Sequence, residues 1–344
     1  MQENAKSVRV WENVDRDSFA REILPLAQPA ILRGLVSDWP VIQIAKDSDS
    51  AWKDYLTDFS LEKPVQSFHG AADMGGFFTF SDDLKTFNFV RKQQSLSHVL
   101  EQLLDKSRVH GSTYLYAGAV NVSEHLPGFA KEHSNPLIDP AINPEVDQLF
   151  SIWVGNKTRV PAHWDLPQNI ACVTKGRRRF TLFPIEQVPN MYIGPLDITI
   201  AGQPSSLVDP YNPDLERFPK FVEAAKHTQI AELEPGDALF IPSLWLHHVE
   251  SLDDVGMLVN FWWREGPTAT KFTPMHSLMH AILSIRNMPE AERMSWKALF
   301  DHYIFQIGDD PVAHLPEHKR GVLGELGEQG EANLRKYLAS RLLR

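Results

Sequence analysis

The sequence predicts a mainly β protein, a small barrel carrying a metal site, with mixed α/β structure before it and helices after it. Three observations predict this. Runs rich in β-branched and aromatic residues at 149–154, 169–174, 178–183 and 237–242 are separated by turn residues. His163-Trp164-Asp165 falls between the first two runs, and His247 follows the last. From Met275 onward the apolar period changes to that of a helix.

Taken in order, residues 18–26 and 51–59 have helical spacing, and Ser95 is an N-cap for a run ending at Leu104. Residues 113–117 form a strand, and the whole region to about 145 wraps and extends the barrel. Val160-Pro161-Ala162 leads into the triplet. Lys175-Gly176-Arg177 is a hairpin turn between two strands. The connection from Phe183 to Ile230 carries seven prolines, which makes it an ordered cover beside the site's mouth. Glu234-Pro235-Gly236-Asp237 suits a type II turn, before the strand expected to deliver His247. Met275, Leu278, Met279, Ile282 and Leu283 make one amphipathic stripe; Trp296, Leu299, Phe300, Tyr303, Ile304 and Ile307 make a second. Gly321, Gly324, Gly327 and Gly330 mark a loose connection before a last helix from about Glu331 to Leu343.

In a strand, His163 and Asp165 point to one side because side chains alternate. Two imidazoles and a carboxylate on one face of an octahedral ferrous ion leave three adjacent positions open, enough for a bidentate 2-oxo acid and dioxygen. Among 14 histidines the triplet alone is weak; the strand and turn order around it gives it weight. His248 and Glu250 repeat the spacing, and since consecutive strand residues face opposite ways, only one of His247 and His248 can be a ligand. Alternation also makes Arg178 the inward member of Arg177-Arg178-Arg179, on the face of Phe180 and Leu182. Of Trp164, Trp245, Trp262 and Trp263, at least two belong to packing, and one can line a substrate pocket.

The stretch from Val160 to Trp263 resembles the cupin-like JmjC group of iron and 2-oxoglutarate dependent oxygenases, in particular the branch of the hypoxia-inducible factor asparaginyl hydroxylase. The resemblance is carried by Pro161-Ala162-His163-Trp164-Asp165, Gln168-Asn169, Gly176-Arg177-Arg178, Leu182-Phe183-Pro184, Glu216-Arg217-Phe218-Pro219, Pro235-Gly236-Asp237, Ile241-Pro242, Trp245-Leu246-His247-His248-Val249-Glu250-Ser251 and Asn260-Phe261-Trp262. Pro29 to Gly34 and Asp38-Trp39-Pro40 resemble the opening of that domain. The resemblance implies a double-stranded β-helix, the cupin/JmjC jelly roll, over residues 1–265, with a helical region at 266–344 that forms a homodimer contact. It implies Fe(II) held by His163, Asp165 and His247, with 2-oxoglutarate and dioxygen as co-substrates. His247 rather than His248 matches the second histidine ligand. Arg178 stands where the animal hydroxylases have a lysine for the distal carboxylate of 2-oxoglutarate, and an arginine brings a planar fork instead of a point charge. Asn169, Asn260 and Tyr114 match positions near the co-substrate, Val160 replaces a hydroxyl-bearing residue, and Lys175 is expected at solvent.

The chain is long enough to bury a large core without staples. One cysteine, Cys172, rules out an internal disulfide framework, and no apolar leader or membrane span is evident, so a cytoplasmic enzyme is expected. A net charge of −10 argues against strong general nucleic-acid binding. Hydroxylation is favoured over demethylation, and the prime substrate stays open between a protein side chain, a modified RNA base and a small molecule. Two rivals remain: a metal-binding cupin enzyme that uses no 2-oxoglutarate, and a non-catalytic JmjC-like binding protein.

Overall fold

Among the described residues, fourteen strands in two sheets build the part of the chain that holds the triplet. The structure is a computed structural model and describes residues 5–105, 113–138, 147–264, 273–308 and 310–342. The chain divides into two compact units, Met1–Lys271 and Phe272–Arg344. In the first, the five-stranded sheet has the order β1 (Lys6–Ser7), β11 (Gln229–Leu233), β10 (Arg178–Phe183), β13 (Leu246–Ser251), β8 (Arg159–His163). The nine-stranded sheet has the order β2 (Arg9–Glu12), β3 (Ala30–Arg33), β12 (Ala238–Ile241), β9 (Gln168–Lys175), β14 (Gly256–Arg264), β7 (Asp147–Gly155), β6 (Thr113–Asn121), β4 (Val65–Ala71), β5 (Phe89–Gln94). This is a mainly β, jelly-roll arrangement with helices added, as the sequence predicts.

Alternation decides what each face does. Phe180 and Leu182 of β10 meet Ala171, Val173, Leu239, Ile241 and Leu258 of the nine-stranded sheet, closing the barrel interior. Ile170, Cys172, Phe240, Val259 and Phe261 point the other way and pack with Trp52, Leu56, Val99 and Leu100 of the helices Asp49–Phe59 and Leu96–Leu104. Ser95 caps the second helix, its hydroxyl accepting from the His98 amide. The stretch 18–26 is a chain of short turns rather than one helix, broken around Pro25. The hairpin turn holds Gly176 at φ 66°, where a Cβ would come within 2.7 Å of the Val255 carbonyl oxygen. Gly236 takes φ 108° in the Glu234–Asp237 turn.

Three expectations are corrected. Residues 237–242 do not deliver His247: β12 belongs to the nine-stranded sheet, and after a turn containing Leu244 at φ 67° the chain enters the other sheet as β13. Lys175 does not face solvent. A bulge opposite Met257 and Leu258 inserts Thr174, so Lys175 turns to the helix-covered face of Met257. There it is 9% exposed, with its Nζ 2.7 Å from Asp49 Oδ1 and 5.1 Å from the centre of the Trp52 ring. The proline-rich connection is ordered, but most of it packs on the outer face of the five-stranded sheet. Met191, Val208, Phe218 and Phe221 join Ala162, Phe183 and Leu246 there, while Ser205 pairs with His163 and Thr199 to Gly202 line a separate hollow beside Phe68 and Trp153.

The second unit contains helices Pro274–Ser284, Glu290–Tyr303 and Gly327–Leu342. The second stripe leaves its helix after Tyr303, with Gln306 at φ 49°, and the last helix starts at Gly327, earlier than expected. Neither of the first two helices has a buried residue; Leu283, Met294, Leu299, Ile304 and Ile307 are all exposed.

Candidate metal centre and co-substrate pocket

β8 and β13 bring His163 and His247 directly opposite each other, with ring centroids 4.3 Å apart. Each imidazole places Nδ1 2.9 Å from a main-chain carbonyl two residues upstream, Pro161 O for His163 and Trp245 O for His247. A carbonyl only accepts, so each Nδ1 carries the proton and each Nε2 keeps its lone pair. Burial first, and then the neighbouring His163, pushes the His247 pKa down to about 4, which keeps the ring neutral at ordinary pH.

Asp165 reaches this pair differently from the strand chelate expected. β8 ends at His163, because Trp164 turns outward into the apolar cluster under the connection. The Asp165 carboxylate is instead set by tertiary contacts: its Oδ2 accepts from Trp262 Nε1 at 3.0 Å and Asn169 Nδ2 at 3.3 Å, and lies 3.5 Å from His247 Nε2. One ligand atom from each of His163, Asp165 and His247 lies within 4.8 Å of the others, a set that can hold a metal ion. His248 faces the opposite side of β13, wholly buried near the Phe77 ring, and burial pushes its pKa down to about 3.

The triad opens into a cavity of about 540 Å³, mouth included, between the two sheets. Arg178, Phe180 and Val249 line it from the five-stranded sheet and Asn169, Asn260 and Trp153 from the other. Arg178 is 6% exposed, its Nε is buried with no hydrogen-bond partner among the described residues, and burial lowers its pKa to about 10, so it stays charged. Arg177 and Arg179 point outward to Asp253 and Glu232. A buried, unpaired guanidinium is costly, and a carboxylate in this cavity removes that cost. The residues therefore fit both groups the sequence suggests: two neutral imidazoles and a carboxylate for a divalent metal, and a free cation for an anionic co-substrate.

The other expected residues separate. Asn260 donates from Nδ2 to Asn169 Oδ1 at 2.7 Å, and Asn169 in turn to Asp165, so the two amides form a relay behind the carboxylate. Val160 lines the cavity. Tyr114 does not. The same face of β6 presents Tyr116 there, two residues on, with a buried hydroxyl that lacks a hydrogen-bond partner among the described residues. Sequence reasoning also missed Trp262, whose indole donor holds Asp165; the alternation that sends Phe261 and Trp263 into the core places Trp262 on the cavity face, and this was the available signal.

A family model described as a cupin-like domain matches residues 16–269. The tRNA wybutosine-synthesizing protein 5 of Gallus gallus is 26% identical over 276 residues, covering 76% of this chain and 79% of that protein. HSPB1-associated protein 1 of Rattus norvegicus is 38% identical over 257 residues, 70% of this chain and 49% of that protein. Lysine-specific demethylase 8 of Xenopus tropicalis is 26% identical over 255 residues, 72% of this chain and 50% of that protein. These matches set the family and not the asparaginyl hydroxylase branch.

Proposed function

The chain belongs to the cupin-like domain family, and from that premise we propose that it is an Fe(II)- and 2-oxoglutarate-dependent oxygenase, acting as a hydroxylase. The observation that carries this reading is the buried Arg178 guanidinium, its Nε without a hydrogen-bond partner among the described residues, in the same cavity as the triad. A cupin enzyme whose metal acts on an uncharged substrate has no use for a buried cation there. In the proposed roles, His163, Asp165 and His247 hold iron, and Arg178 binds the distal carboxylate of 2-oxoglutarate through a charge-assisted contact. When bound, iron and 2-oxoglutarate supply oxidative decarboxylation by dioxygen, coupled to oxygenation of a C–H bond. Pro161 O and Trp245 O fix the histidine tautomers, and Trp262 and Asn169 fix the Asp165 carboxylate. Phe180, Val249 and Leu258 keep water from the bound acid, and the Tyr116 hydroxyl is available to donate to it. No side chain is needed as a general base.

The test compares two 2-oxo acids on the Mn(II)-loaded protein. 2-Oxoglutarate is expected to bind at least about tenfold more tightly than pyruvate, which lacks the distal carboxylate, since a charge-assisted contact contributes roughly 1.5–3 kcal/mol. Equal binding, or none, favours the metal-only cupin.

The exposed apolar faces of helices Pro274–Ser284 and Glu290–Tyr303 support a homodimer formed through the second unit. Light scattering is expected to give the mass of two chains; the mass of one would leave these faces without a second copy. Cys172 is buried and no described helix is long and apolar enough to cross a membrane, which agrees with a cytoplasmic setting that fractionation can check.

A further inference from the structure

Beside the metal cavity, on the same face of the nine-stranded sheet, lies a second hollow of about 620 Å³, mouth included. Its floor is Gln66, Phe68 and Gly118, one wall is Trp153, and its rim is formed by Arg91 and Ile200. Trp153 lines both spaces. Its ring centroid is 6.1 Å from that of Trp262, the residue that holds Asp165, and Phe68 of the groove stacks at 4.5 Å on Tyr116 of the cavity. Trp153 is therefore shared by the groove and the metal cavity.

Three features say what would lie there. First, the β4–β6 ladder stops at Ser67 opposite Ala117, and a bulge in β6 follows, with Ala119 at φ 52°. Gly118 and Ala119 thus have no strand partner on the β4 side, and main-chain groups left without a ladder suit an extended peptide. Second, Arg91 uses only Nη2, donating to the Thr199 and Ile200 carbonyls, and among the described residues it has no carboxylate partner. Its Nε and Nη1 remain for an acidic group. Third, among the described residues Arg91 is the one cation lining the groove, and the chain carries a net charge of −10, which disfavours a polynucleotide.

We propose that this groove receives an extended polypeptide segment through Gly118 and Ala119, with an acidic side chain of that segment on Arg91 and a nearby residue passing Trp153 to the metal centre. The reaction at that residue rests on the oxygenase reading; the binding does not.

The test uses the whole, metal-free chain and a positional-scanning library of short N-acetylated, C-amidated peptides, with mixed tRNA as the competing probe. The parent chain is expected to select Asp or Glu at one position. Arg91→Glu is expected to switch that position to Lys or Arg, while Arg91→Lys keeps the acidic choice. Gly118→Val, whose side chain starts 2.6 Å from the Trp153 ring, is expected to lower peptide binding at least about tenfold. Metal binding at the triad, measured on the two Arg91 variants, is expected to stay unchanged. No selection by the parent, an acidic choice that survives Arg91→Glu, or tRNA displacing every peptide overturns the proposal. Selected peptides are then incubated with Fe(II), 2-oxoglutarate and air. Peptides that bind with the expected selectivity yet never gain an oxygen atom support the groove and count against the oxygenase reading.

Discussion

Asp165→Ala is expected to abolish ferrous binding while leaving the protein folded. The carboxylate is the one anionic member of the triad, and two neutral imidazoles alone hold a labile divalent ion poorly. The fold survives because Asp165 lies beyond the end of β8 and carries no strand pairing through its side chain. Its loss leaves the Trp262 and Asn169 donors unsatisfied, a cost of about 1–3 kcal/mol. Iron titration by equilibrium dialysis, with circular dichroism as the folding control, reads both effects. His248→Ala is the paired variant. It opens a hole on the far face of β13 and is expected to cost about 2–4 kcal/mol of stability while keeping the metal. Loss of iron in His248→Ala but not in Asp165→Ala would remove the triad as the metal site.

Arg178→Met is expected to move stability and co-substrate affinity in opposite directions. In the ligand-free protein the guanidinium is buried without a partner for Nε, and its lowered pKa, caused by burial, marks the desolvation it suffers. Methionine fills similar space without charge, so the ligand-free melting temperature should rise, by the equivalent of about 1–3 kcal/mol. The same change removes the partner of the 2-oxoglutarate distal carboxylate and should raise its apparent dissociation constant at least about tenfold. Iron affinity should stay nearly constant, since Arg178 contacts none of the three ligands. Arg178→Lys should keep part of the affinity, because the charge persists without the planar fork. A destabilised Arg178→Met protein with unchanged co-substrate affinity would make Arg178 a structural residue.

What was legible in the sequence depended on range. Period-two alternation places Arg178, Phe180 and Leu182 inward and Arg177 and Arg179 outward, because it needs only neighbours in one strand. The hairpin glycine and the Glu234–Asp237 turn are equally local. Depth along a strand is not: Tyr114 and Tyr116 share a face of β6, and only the packing of β4 against β6 decides which reaches the cavity. A bulge reverses alternation, which is why Lys175 turns to Asp49 and Trp52 rather than to water. The hold of Trp262 on Asp165 joins residues far apart in the chain: alternation puts Trp262 on the cavity face, but nothing local says which carboxylate its indole meets. Motif order nevertheless brought His163, Asp165 and His247 to one place, although the carboxylate comes from a loop and the second histidine from a different sheet than its preceding strand.

The central claim is that the metal triad and Arg178 serve one reaction. Anaerobic titration of 2-oxoglutarate into the ferrous protein, followed by admission of air, tests it most directly. Saturable binding that depends on both Asp165 and Arg178, and then succinate release, is the expected result. Iron binding with no 2-oxoglutarate binding, or binding with no succinate after air is admitted, would contradict it.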